Sequence, residues 1–191
     1  MKTLITLILT LSIFSKAEAK KIFLPYEIII GSADLVVEGE IISVSNGFYK
    51  FKVAEFIKNN SEKIITVEMF PEWTCDQRII PAEKGQKLLL FLTKSNEEFY
   101  QIINGSTGEL FIENVLGDFY QDFEFENYDD IKKGIKLFVK SFDYCGELYP
   151  KFNEKQTFKK LLTETELSKL ELESKFFKSI RKKLTKEYHL V

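Results

Sequence analysis

Between residues 35 and 113 the hydrophobic pattern reads as short strands separated by turn signals. Leu35–Ser45 is the first strand, rich in β-branched residues and interrupted by Gly39. A glycine inside a strand marks a bulge or sharp bend, as a sheet needs when it coils into a small barrel. Asn46-Gly47 is a strong two-residue hairpin signal. Beyond it, Tyr49, Phe51, Val53 and Ile57 alternate with Lys50, Lys52 and Lys58, which predicts a half-buried second strand closed by Asn59-Asn60-Ser61. Residues 63–70 form a third strand with Ile65, Val67 and Met69 on one face, and residues 86–93 a fourth. Leu88 to Leu92 is apolar on both faces, so this strand is expected to be the most buried. Residues 99–103 make a fifth strand, and 109–113 add a short pairing. Upstream, Pro25 and Gly31-Ser32 bracket one or two helical turns.

The period then changes. Asn127 is a good helix N-cap, with Asp129 and Asp130 in the first turn, where the helix dipole favours acids. Ile131, Ile135, Phe138 and Phe142 fall at i, i+4, i+7 and i+11, one face of a helix that Gly146 would end. No Gly or Pro occurs over 151–191, which predicts helix nearly to the last residue. There Leu170, Phe177, Ile180, Leu184 and Tyr188 keep helical spacing, opposite Lys175, Lys178, Arg181, Lys182, Lys183 and Lys186. Three readings of 174–188 stand side by side: a docked helix with a wet basic face, a helix drawn to the acidic 96–130 region, and an interfacial membrane helix. Residues 118–126 alternate acids with aromatics, as an edge strand or extended connector. A calcium site there would lack EF-hand spacing and its glycine.

Composition adds a compartment. Met1-Lys2, the apolar run of residues 4–14 and Ala17-Glu18-Ala19 have the form of a secretory signal cleaved between Ala19 and Lys20. Cleavage would leave 172 of the 191 residues, and losing Lys2, Lys16 and Glu18 moves net charge from −2 to −3. A mildly acidic exported chain is a poor nucleic-acid binder. Residues 151–191 nevertheless carry eleven Lys or Arg against six Glu. Cys75 and Cys145 pair as one disulfide in an oxidising compartment, or sit apart as two buried thiols. With a lone His189 near the end, and no G-x-S-x-G, P-loop or H-E-x-x-H, the sequence offers no catalytic constellation, metal site or cofactor site. Close carboxylates, for instance Glu38 or Glu40 with an acid of 118–126, would be the exception. Trp73, the chain's single tryptophan, is either a partner contact in the irregular 71–84 segment or a plug in the barrel end.

Residues 33–41, Ala-Asp-Leu-Val-Val-Glu-Gly-Glu-Ile, resemble the opening strand of netrin-like domains, the OB-fold module of tissue inhibitors of metalloproteinases. Residues 51–58 resemble the second strand, 65–67 the third, Cys75 the cysteine of the following loop, and 85–92 the Gly-x-x-Tyr/Leu-Leu-x-Phe strand. The resemblance spans roughly residues 26–113 and implies an OB barrel in an exported protein. It departs from the family twice. Asn104 stands where the family has its second cysteine, which leaves Cys145 as the only intrachain replacement. Lys20 begins the mature chain where the inhibitors place a zinc-binding cysteine, so their mechanism does not carry over.

The expected architecture is therefore mainly β with a helical C-terminal part (α+β). A five-stranded netrin-like OB barrel over 20–126 follows the signal 1–19. A packed amphipathic helix over 127–146 and a helical extension over 151–191 complete it. The expected function is a secreted or envelope-exposed, non-catalytic module binding a protein partner, with Trp73, Lys178, Arg181 and Lys182 as candidate contacts. The alternatives are membrane-surface association through 174–188 and an enzyme of unrecognised type.

Overall fold

Five strands close into a barrel: β1 (Leu35–Ser45), β2 (Phe48–Lys58), β3 (Ile64–Glu68), β4 (Lys87–Lys94) and β5 (Tyr100–Ile102). The computed structural model describes residues 20–96, 98–113, 127–149 and 156–191; the expected signal over 1–19 and the acid–aromatic stretch 118–126 lie outside them. β1 pairs with β2, β2 with β3, β3 with β5, β5 with β4, and β4 returns to β1. In this closed circuit only the β3–β5 pairing is parallel, an order compatible with an OB-type barrel. A short β6 (Glu109–Phe111) shares the β5 edge of β4, pairing lower down with Leu88 to Leu90.

Local chemistry explains the closure. The β1–β2 hairpin turns on Asn46 and Gly47, both with positive φ (50° and 80°), the pair a type I′ turn requires. At Gly39 the β1–β2 register shifts, and a Cβ built there would lie 2.2 Å from the Lys52 carbonyl oxygen and 2.7 Å from the Phe51 ring. Only glycine lets the two strands approach at this bend.

β4, and β1 over Leu35–Val37, are apolar on both faces because each serves two cores. Leu35, Val37, Leu88, Leu90 and Leu92 point into the barrel with Tyr49, Phe51 and Val67. Val36, Leu89 and Phe91 point outward into a second core. That core is roofed by α1 (Tyr26–Ser32), α2 (Tyr128–Ser141), α3 (Glu164–Leu170) and α4 (Lys175–Glu187). Each fully buried Leu, Ile or Phe contributes about 1.5–3 kcal/mol of transfer free energy, so the double-sided strands bind the two halves into one body.

The helices are capped as their sequences require. The Asn127 side chain accepts from Asp129 N–H at 2.8 Å, and Thr163 and Glu166 form a reciprocal capping box on α3. Ser174 caps α4, and the Asp130 carboxylate reaches across from α2 to accept from Lys175 and Phe176 N–H at 3.1 and 2.9 Å. Lys58 donates to the Ile30 and Gly31 carbonyls at the end of α1. α2 is also clamped to the outside of the barrel. Glu38 accepts from Tyr128 and Lys132 at 2.5 and 2.6 Å, and Glu55 from Lys132 at 2.7 Å and from Lys136. The two lysines hold Glu55 below the usual carboxylate range.

Three expectations are corrected. The helix from Asn127 stops at Ser141, and Phe142 starts a strand, β7 (Phe142–Tyr144). The tail is not all helix: β8 (Thr157–Lys160) and β9 (His189–Leu190) join β7 in a three-stranded sheet. His189 is thereby fixed, donating its N–H to the Gln156 carbonyl at 2.9 Å. Finally, no disulfide joins Cys75 and Cys145, and neither is buried. Cys75 sits in a tight turn on the barrel, whereas Cys145 follows β7 with its N–H held by the Thr157 carbonyl at 2.9 Å.

Candidate binding cleft

At one end of the barrel an extended N-terminal strap, residues 20–24, meets two turns. Asn104 takes a left-handed conformation (φ 57°) that directs its amide at the strap, accepting from Leu24 N–H at 3.2 Å and donating to the Ile22 carbonyl at 2.8 Å. One side chain thus stands in for a strand partner. Lys21 Nζ donates to Asp76 Oδ1 and Ser106 Oγ, both at 2.8 Å, and Ser106 N–H donates to the same Asp76 oxygen at 3.1 Å. Asp76 closes a tight turn with Trp73 through two backbone hydrogen bonds of 3.1 and 2.9 Å. The strap, the 73–76 turn and the 104–108 turn are therefore one hydrogen-bonded unit.

Beneath it lies a second buried group. Arg78 Nε donates to Glu109 Oε2 at 2.7 Å, with side-chain exposures of 4% and 1%. Arg78 Nη1 donates to the Ile80 carbonyl and to Gln86 Oε1 at 2.6 and 3.0 Å, and the guanidinium stacks 5.2 Å from the Phe111 ring centroid. Tyr49 hydroxyl donates to the other Glu109 oxygen at 3.1 Å. Burial, with the Glu109 charge beside it, pushes the Tyr49 hydroxyl well above its usual range, so it stays a donor. This network holds the irregular 71–84 segment on the barrel without regular secondary structure.

Between these anchored walls is a cleft of ≈ 480 Å³ lined by Lys20, Ile22, Met69, Phe70, Pro71, Trp73, Gln101 and Tyr149, among others. The buried polar groups of its walls are spent on one another, Arg78 Nη2 excepted, while three large side chains remain at the surface: Ile22 (65% exposed), Trp73 (37%) and Tyr149 (53%). Aromatic side chains on a rigid frame supply contact area with little conformational entropy to lose. Trp73 thus stands on the cleft wall with part of its surface open to solvent.

The other candidates lie elsewhere. Lys178, Arg181 and Lys182 line a shallow groove on α4 and share no lining residue with the cleft. Arg181 is held by Glu164 at 2.7 Å and Glu171 at 2.8 Å. Ala19 falls outside the described residues, whereas Lys20 is exposed on the cleft wall. Sequence reasoning missed Lys21, Asp76, Arg78, Asn104 and Glu109. Only for Asp76 and Arg78 was there a hint, an irregular segment with scattered charges, because such charges need partners when buried. Among the described residues no group of three or more His, Cys, Asp or Glu is placed to hold a metal ion. No family model matches the chain, and no curated protein matches it.

Proposed function

We propose that this chain is an exported, non-catalytic binding module built on a netrin-like OB barrel, and that the cleft at the barrel end is its contact surface. The observation that carries the reading is the exposure of Ile22, Trp73 and Tyr149 around walls held by a buried ion pair. Such a rim is preorganised, and preorganisation lowers the entropy cost of association. The signal-like start of the chain supports export, and the strand sequences of 26–113 support the netrin-like assignment. Metalloprotease inhibition through an N-terminal zinc ligand is not part of the proposal, since Lys20 opens the mature chain. The test is site-specific photo-crosslinking in the extracytoplasmic fraction, with the photoreactive residue at Tyr149 and, as a control, at exposed Leu161. A specific protein adduct formed at Tyr149, absent at Leu161 and lost in Trp73→Ala would support the cleft. Equal adducts at both positions, or none at either, would reject it.

A further inference from the structure

The basic helix α4 cannot serve as an inserting amphipathic helix while the protein is folded. Phe176, Phe177, Ile180 and Leu184, its apolar face, are at most 5% exposed within the core shared with α1 and α2. What reaches solvent is the opposite arc. Lys178, Lys182 and Lys186 are all exposed, at i, i+4 and i+8. They form a straight ridge about 12 Å long at 1.5 Å per residue. Among the described residues none of the three has an ion pair, whereas Arg181 beside them is locked to Glu164 and Glu171. Glu187, the only acid of α4, lies on the other side, where its charge acts on the buried Glu27. One turn ahead of the helix, Leu172 is 88% exposed, the largest exposure of any large apolar side chain among the described residues.

We propose that this ridge docks the protein on an anionic lipid surface, with the three ammonium groups on headgroup phosphates and Leu172 entering the interface. Three arguments select a membrane over an acidic protein. Lysines are compact, strongly hydrated point charges on flexible stems, suited to the diffuse potential of an anionic surface rather than to the bidentate pairing of a single carboxylate. The local arginine is already consumed. An isolated leucine beside unpaired lysines has no apolar pocket around it, yet it gains by partitioning into the headgroup boundary. The proposal is independent of the cleft, which shares no lining residue with this groove.

The test is co-sedimentation of the chain from Lys20 to Val191, which contains every described element and excludes the apolar run of residues 4–14 that would bind vesicles by itself. The vesicles are zwitterionic phosphatidylcholine with or without roughly one-third phosphatidylglycerol. Binding is expected only to the anionic vesicles at about 0.05 M salt, and loss is expected at about 1 M. The triple charge reversal Lys178→Glu, Lys182→Glu, Lys186→Glu should reduce it by about tenfold or more, and Leu172→Ser by a smaller factor. All four substituted positions are exposed, and an unchanged melting temperature shows that the fold survives. Equal binding of wild type and the triple variant, or no preference for anionic vesicles, would overturn the proposal. So would capture on polyglutamate beads without vesicle binding, which would assign the ridge to an acidic protein instead.

Discussion

Lys21 and Asp76 meet at 2.8 Å with side chains only 4% and 10% exposed, and this pair ties the start of the described chain to the turn that carries Trp73. Removing one member of a buried pair leaves an uncompensated charge, which costs about 3–5 kcal/mol. Asp76→Ala also strips Ser106 N–H of its acceptor. The expected result is an unfolding free energy in urea lowered by that amount, with Trp73 fluorescence, the only tryptophan signal, shifting before global unfolding. A loss below about 1 kcal/mol, within the range of surface ion pairs, would mean the strap is not anchored here.

The Arg78–Glu109 pair makes a sharper case, because both side chains are sealed beneath the cleft. Arg78→Met should destabilise strongly, by about 3–5 kcal/mol, through the stranded Glu109 carboxylate. Adding Glu109→Leu removes that carboxylate and should recover more than half of the loss, although Tyr49 then lacks its acceptor. Chemical denaturation of the two singles and the double forms the cycle. Strictly additive losses would show that the pair is not coupled.

Much of the barrel was legible because strand alternation is a local signal. The two-sided Leu88–Leu92 run marked the central strand, and all five residues are 0% exposed. Gly39 marked the bend. The small sheet was illegible for two reasons. Phe142 continued the helical period at i+11, and it is 3% exposed as a strand residue too, so burial could not separate the readings. Residues 151–191 contain no breaker, yet Thr157–Lys160 is strand because β7 and β9 flank it, a tertiary effect no window can sense. The cleft was legible only through Trp73. Its anchors pair residues separated by 55 positions (Lys21 with Asp76) and 31 positions (Arg78 with Glu109), and one sequence carries no trace of such partnerships.

Gly39→Val tests the closure of the barrel. The added side chain must displace the Lys52 backbone carbonyl, 2.2 Å from the ideal Cβ, and backbone cannot yield as a flexible side chain would. A loss of about 1–3 kcal/mol or more is expected, seen as a melting temperature lowered by several degrees. An unchanged melting point would mean that β1 and β2 do not approach closely at this position.

Glu27 gives the protein an unusual pH dependence. It lies on α1 at 0% exposure, accepting from Tyr188 hydroxyl at 3.1 Å, and its other oxygen has no hydrogen-bond partner among the described residues. Burial raises its pKa above the ordinary 4.5, against the smaller lowering influences of its backbone hydrogen bond, Lys183 and Tyr188; Glu187 nearby raises it further. A group whose pKa is raised on folding binds more protons folded than unfolded. Its stabilising contribution is therefore complete below the unfolded value and is lost as pH climbs through the folded one. Glu27→Gln keeps an acceptor for Tyr188 and cannot ionise. The difference in unfolding free energy between wild type and this variant should shift against the wild type as pH rises above 4.5, then level off once the folded-state carboxyl has ionised. Using the difference cancels the opposite slope from Glu55 and Glu164, whose lowered pKa values favour the folded state at higher pH. Urea titrations of both proteins at closely spaced pH values from 4 upward, roughly the unfolded carboxylate pKa, check this. Parallel stability curves would show that Glu27 does not titrate differently in the folded core.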